Sequence, residues 1–159
     1  NLNTLIGAFV GAIPPLIGWT AASQSIDLPG ILLSGILFFW QLPHFLALSW
    51  LYKEDYKQAG FQMLGGNNDD ELSGRISFSG ALSLIPLCLM LFKTETVGIT
   101  FTVLSLGLNI SFLFPAWKFF QIRNNQNAKF LFKSSLIYLP LLMLFMLLDY
   151  HPYTRELSF

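Results

Sequence analysis

Five apolar runs of about twenty residues each, joined by short polar connections, leave this chain few ways to fold. A bilayer core is crossed by roughly 20 apolar residues in a helix. Inside hydrocarbon every backbone N–H and C=O needs a partner within the protein, so helices are the viable structure for such runs. The runs cover about Thr4–Ala22, Leu28–Leu51, Ile76–Phe92, Val97–Phe120 and Phe130–Tyr150. They predict an all-α fold, a polytopic membrane helix bundle. Only 11% of the residues are charged, against roughly 25% in an ordinary soluble domain. The net charge is zero, which leaves no electrostatic footprint for nucleic acid. The single cysteine, Cys88, lies in an apolar run, so neither a disulfide framework nor a thiolate metal site can form within the chain. It reads as a small buried hydrophobe. The chain opens on Asn1 rather than Met, with no leader-like segment ahead of the first span, and reads as a piece of something longer.

Within this pattern, chemistry concentrates in Trp40–Leu64, WQLPHFLALSWLYKEDYKQAGFQML, which starts inside the second span and ends in a charged loop. His44 is the histidine within a span, and an ionisable side chain at that depth marks a functional site unless a partner explains it. The structural alternative is an imidazole bonded to a carbonyl freed by Pro43. Trp40, Pro43 and His44 fall within a few turns, where i, i+3 and i+4 neighbours share a face. Gln41 lies on a neighbouring face, suited to a polar ligand or another helix. Beyond the span, YKEDYKQAG continues the helical register and carries Glu54 and Asp55 one to two turns out. The following GGNNDDELSGR has loop chemistry, and its acidic cluster Asp69, Asp70 and Glu71 reads as a solvated tip.

The other spans are plainer. Gly7 and Gly11 form a GxxxG face for close helix approach. Pro14 and Pro15 interrupt the first span, either as a packing kink or to shape a central cavity. Asn109 in the fourth span reads as an interhelical hydrogen bond, with Trp117 and Lys118 at its interfacial end. Five spans put Lys53, Lys57, Arg75, Lys118, Arg123, Lys129 and Lys133 on one side, and Lys93 and Arg155 on the other. The positive-inside rule then turns the Glu54–Asp55 loop to the cytoplasm or the mitochondrial matrix. A carboxylate pair beside Lys53 and Lys57, at the mouth of an apolar bundle, suits a substrate with an anionic head and an apolar tail. Hard Mg²⁺ is held by one or two carboxylates plus substrate phosphates. Solvated carboxylates and snorkelling lysines give the same pattern without chemistry.

Three runs carry a resemblance: NTLIGAFVGAIPPLIGW at Asn3–Trp19, WQLPHFLALSW at Trp40–Trp50 and EDYKQAG at Glu54–Gly60. In order, with FKSSLIYLPLL in the fifth span, they resemble the haem O synthases, the protohaem IX farnesyltransferase branch of the UbiA-type intramembrane prenyltransferases. The resemblance covers essentially the whole chain and implies the last five helices of a nine-helix fold. Residues 1–159 would then be the C-terminal part of a single domain, without the family's first acidic motif and inactive by itself. It implies farnesyl transfer from farnesyl diphosphate to a vinyl group of haem B, giving haem O, with Mg²⁺ bound alongside the diphosphate and haem B as substrate. Asp55 becomes the first choice for the diphosphate–Mg²⁺ site, with Glu54 second and Lys53, Tyr56 and Lys57 as substrate contacts. His44 joins Asp55 as a catalytic candidate, with Trp40 and Gln41 beside it deeper in the membrane. There His44 would ligate iron or contact a propionate, and Trp40 would offer a π-face to the allylic cation.

The broad family reads D-x-x-x-D where this chain has Ala59 four residues after Asp55, a departure that favours haem over quinone precursors as acceptor. The stretch Phe61–Gly65 looks more like mitochondrial than bacterial relatives. The inner mitochondrial membrane is therefore the expected location, with a bacterial plasma membrane as the alternative. Expected partners are membrane lipid and haem A synthase or other oxidase assembly factors, and no nucleic acid. The competing functions are an aromatic prenyltransferase acting on a quinone precursor, and a non-enzymatic membrane subunit or transporter.

Overall fold

The computed structural model describes residues 2–58, 60 and 70–151, with side chains from residue 7 onward except that of Asp70. The chain forms six helices: α1 (Leu2–Ser23), α2 (Leu28–Leu51), α3 (Lys53–Gln58), α4 (Asp70–Lys93), α5 (Ile99–Gln121) and α6 (Asn125–Leu148). Among the described residues, α2, α4, α5 and α6 are each long and apolar enough to cross a membrane. The 22 residues of α1 rise roughly 33 Å, which also matches a bilayer core. The fold is the expected polytopic helix bundle.

Packing closes α2, α4, α5 and α6 into a ring, each helix touching the next, and α1 lies outside against α2. Leu84 and Cys88 of α4, Phe101 and Phe112 of α5 and Tyr138 of α6 are fully buried at its centre. Lipid is as apolar as these side chains, so close packing and interhelical hydrogen bonds hold such a ring together. The Tyr138 hydroxyl donates to Asn109 Oδ1 at 2.7 Å, the interhelical bond that a mid-span asparagine predicts.

Small residues set how closely the helices approach. A Cβ on Gly80 would stand 3.0 Å from the Phe39 carbonyl oxygen and 3.1 Å from Pro43 Cδ. Pro43 lacks the N–H that would bond the Phe39 carbonyl, and α4 uses glycine to seat itself on that irregularity. Gly80→Val is expected to lower stability by about 1–3 kcal/mol by overpacking, since backbone and a proline ring cannot yield. Thermal unfolding in detergent measures this. Of the GxxxG pair, Gly11 admits Gln41 of α2, whose amide atoms a Cβ would meet at 2.5–2.9 Å, while Gly7 has nothing within 4 Å. The helix α1 continues through Pro14 and Pro15. Its residues Pro15, Gly18, Trp19 and Ala22 line an apolar cavity of about 370 Å³ shared with α2 and α6, at the edge of the ring rather than at its centre.

Several boundaries lie outside the apolar runs. α4 begins at Asp70 rather than near Ile76, because Ser73, Gly74 and Ser77 are buried where the chain approaches Phe120 of α5. α6 begins at Asn125, inside the stretch IRNNQNAK that reads as a loop. The Asn124 side chain caps it by accepting from the Asn127 backbone N–H at 2.7 Å. The Asn127 amide in turn donates to the Ile122 and Lys118 carbonyls at the end of α5. α5 starts at Ile99 because Val97 pairs with Tyr150 in an antiparallel bridge. The Asp149 carboxylate then caps α5 from a distance, accepting from the Phe101 N–H at 2.7 Å.

Candidate functional site

The ends of α2, α4, α5 and α6 that carry most of the cations share one face of the bundle, and the candidate site is built there from α2 and α3. α2 stops at Leu51, Tyr52 leaves helical geometry, and α3 resumes at Lys53. Glu54 and Asp55 thus occupy the first turn of a separate short helix rather than an unbroken extension of α2. The Tyr56 N–H still bonds the Tyr52 carbonyl at 3.0 Å, so the interruption is a single residue. Gly60, at φ +76°, closes α3 with its N–H on the Lys57 carbonyl at 3.1 Å, a left-handed position that favours glycine.

Trp50, Lys53, Glu54, Asp55 and Asn125 line a polar pocket of about 270 Å³ at this end. The Trp50 indole N–H donates to Asn125 Oδ1 at 3.1 Å, tying α2 to the start of α6. Lys53 Nζ stands 5.6 Å from the Trp50 ring centroid, so its ammonium lies at the pocket over an aromatic face. Glu54 and Asp55 are exposed to solvent. Of the other residues expected at the site, Tyr56 is half-buried, Lys57 is exposed and neither lines the pocket. Trp50 and Asn125 are members that sequence reasoning passed over. Trp50 closes the run WQLPHFLALSW and was visible, whereas Asn125 lies far along the chain in a stretch that reads as loop.

Deeper in α2, His44 Nδ1 is 2.8 Å from the Ser135 hydroxyl of α6. Its ring is stacked between Trp40, at 4.9 Å and 19°, and Phe132 of α6, at 5.0 Å and 27°. The Trp40 indole N–H donates to the Ser135 carbonyl at 3.0 Å. His44 therefore has a partner on another helix, not a carbonyl freed by Pro43. One face of Trp40 is already covered by the imidazole. Gln41 takes the other direction: it is buried against Gly11 of α1, with Oε1 unbonded, and does not join Trp40 and His44. From His44 to Leu51, where α2 ends, the helical rise amounts to roughly 10 Å.

Among the described residues no three His, Cys, Asp or Glu side chains gather as a metal site. Two carboxylates with an amide oxygen nearby make a partial donor set for a hard cation, one that oxygens of a bound phosphate would complete. Residues 61–69, including Asp69 and the stretch Phe61–Gly65, lie outside the described residues.

Fold and site together define a multi-spanning intramembrane protein with a charged pocket at one mouth of an apolar bundle. The family model for the UbiA prenyltransferase family matches residues 1–147, and the chain belongs to that family. It is 39% identical over 145 residues to the human "Protoheme IX farnesyltransferase, mitochondrial", covering 91% of this chain and 32% of the human protein. It is 38% identical over 160 residues to the Neurospora crassa protein of the same name, covering 89% of this chain and 31% of that one. The Myxococcus xanthus "Protoheme IX farnesyltransferase" is 38% identical over 149 residues, covering 93% of this chain and 51% of the relative. The chain thus spans a third to a half of the length of these curated relatives. No solved structure matches it.

Proposed function

We propose that this chain is the C-terminal part of an enzyme that transfers a farnesyl group from farnesyl diphosphate to a vinyl group of haem B, making haem O. The observation that carries the reading is the carboxylate–lysine pocket at the mouth of an apolar bundle, in a chain similar over nine-tenths of its length to protohaem IX farnesyltransferases. An allylic diphosphate needs this division, with charge recognised at the surface and the tail kept among apolar helices.

Asp55, with Glu54 beside it, would hold Mg²⁺ together with the diphosphate. When bound, the metal neutralises negative charge building on a leaving diphosphate. Lys53 adds a positive charge at the same pocket, and Trp50 and Asn125 fix the pocket wall to α6. Departure of diphosphate leaves an allylic cation that the vinyl group of haem B attacks. Water then adds at the resulting carbocation and gives up a proton, which leaves the hydroxyethylfarnesyl side chain. Trp40 and Phe132, which hold His44 between them, would offer the cation only their outer faces. In the cell we place the protein in the mitochondrial inner membrane as a multi-pass protein, with Glu54 and Asp55 on the matrix side, a reading that the Lys and Arg distribution supports.

The test uses membranes from a strain unable to make haem O, carrying the full-length gene that contains this segment. Haem O in the extracted haems is the expected result. Its absence from a well-expressed full-length protein would overturn the reading, and a prenylated quinone precursor in its place would assign the fold to the quinone branch.

A further inference from the structure

The geometry points to Ser135 as a positioning residue that fixes His44 in one tautomer and leaves its Nε2 lone pair for the iron of the haem substrate. This inference rests on the haem-farnesylating reading above and goes beyond it to one atom. Ser135 Oγ stands 2.6 Å from the Phe132 carbonyl oxygen. Two oxygens that close need a hydrogen between them, and a carbonyl has none to give, so the serine hydroxyl is the donor.

Its single proton is thereby committed, and Oγ can only accept from His44 Nδ1 at 2.8 Å. Nδ1 therefore carries the ring hydrogen. In an uncharged imidazole, the form a membrane interior accommodates, Nε2 is then a bare lone pair. No hydrogen bond engages Nε2 among the described residues.

Ring orientation is fixed as tightly as the tautomer. Phe132 and Ser135 lie one turn apart on α6, and together they stack on the imidazole and bond its nitrogen. Trp40 covers the other face and bonds the Ser135 carbonyl through its indole N–H. The imidazole cannot flip without breaking the Ser135 bond, nor tilt without leaving both rings. A histidine that donates one N–H to a fixed acceptor and presents the other nitrogen is the usual arrangement of a metal-ligating histidine. With the ring uncharged, the bare Nε2 lone pair can coordinate iron and has no hydrogen to offer a propionate carboxylate.

The experiment compares wild type, Ser135→Ala, Ser135→Thr and His44→Ala in the full-length protein, purified in detergent and titrated with haem B. The readouts are haem affinity, the iron–imidazole stretch by resonance Raman and haem O yield. Wild type and Ser135→Thr are expected to share an iron–imidazole band that His44→Ala lacks. Ser135→Ala is expected to weaken or lose that band and bind haem about 10-fold more weakly. A Ser135→Ala protein with the wild-type band and affinity within about twofold would overturn the inference. A wild type that makes haem O but shows no band dependent on His44 would overturn it too, while sparing the farnesyl-transfer reading. A wild type that makes no haem O overturns both.

Discussion

Replacing Asp55 by Ala in the full-length protein is expected to cut haem O formation by roughly 100- to 1,000-fold, the scale of losing one preorganised electrostatic contact to a reacting group. Stability should barely change. Asp55 is solvent-exposed in the first turn of α3, which has six residues and buries none of them. Surface substitutions in such places usually move stability within about 0.5 kcal/mol. The prediction is therefore a large loss of product at unchanged abundance in membranes, read by chromatography of extracted haems and by immunoblot. Glu54→Ala should cost less, since Glu54 is the second carboxylate of the pair. Full haem O synthesis by Asp55→Ala would keep the reaction and move the metal and diphosphate to other residues.

His44 calls for two substitutions, because its ring both packs and bonds. His44→Ala removes the filling of a stack that Trp40 and Phe132 make at 4.9 and 5.0 Å, and leaves a void between α2 and α6. His44→Phe keeps an aromatic ring in that slot and removes both nitrogens. Both variants are expected to lose haem O formation by at least about 100-fold, a loss within the range of removing a positioned catalytic side chain. Only His44→Ala should also lower thermal stability, by about 2–4 kcal/mol for an emptied aromatic site. If His44→Phe retained wild-type yield, the imidazole would be a packing element and nothing more.

The two predictions sit on different footings in the sequence. Glu54 and Asp55 stand out because charge at the end of an apolar run is conspicuous, and a helix repeat places them just beyond the span. His44 stands out because an ionisable group within a span requires a reason. Their surroundings were not legible in the same way. Trp40 and Gln41 are adjacent residues and both read as site candidates, yet one bonds Ser135 on α6 and the other lies against Gly11 on α1. Successive residues on a helix diverge by about 100°, so neighbours in sequence meet different helices. Asn125 and Ser135 gave no signal, since a loop asparagine and a serine in an apolar run have many ordinary uses. The start of α4 lies outside its apolar run for a related reason. Ser73, Gly74 and Ser77 look polar or flexible, but they are small enough to be buried against another helix.

By itself the sequence determined the solvent. Long apolar runs with scarce charge oblige the chain to form membrane helices, because unpaired backbone in hydrocarbon costs more than any alternative recovers. It also concentrated Lys and Arg near one set of helix ends, with Lys53 and Lys57 just after α2 and Lys129 and Lys133 early in α6. The tertiary structure decided which side chains the candidate site brings together. His44 meets Ser135 from 91 positions away and Trp50 meets Asn125 from 75, contacts set by the whole ring of α2, α4, α5 and α6. Helical periodicity states which side chains share a face, and only the packed bundle states what that face touches.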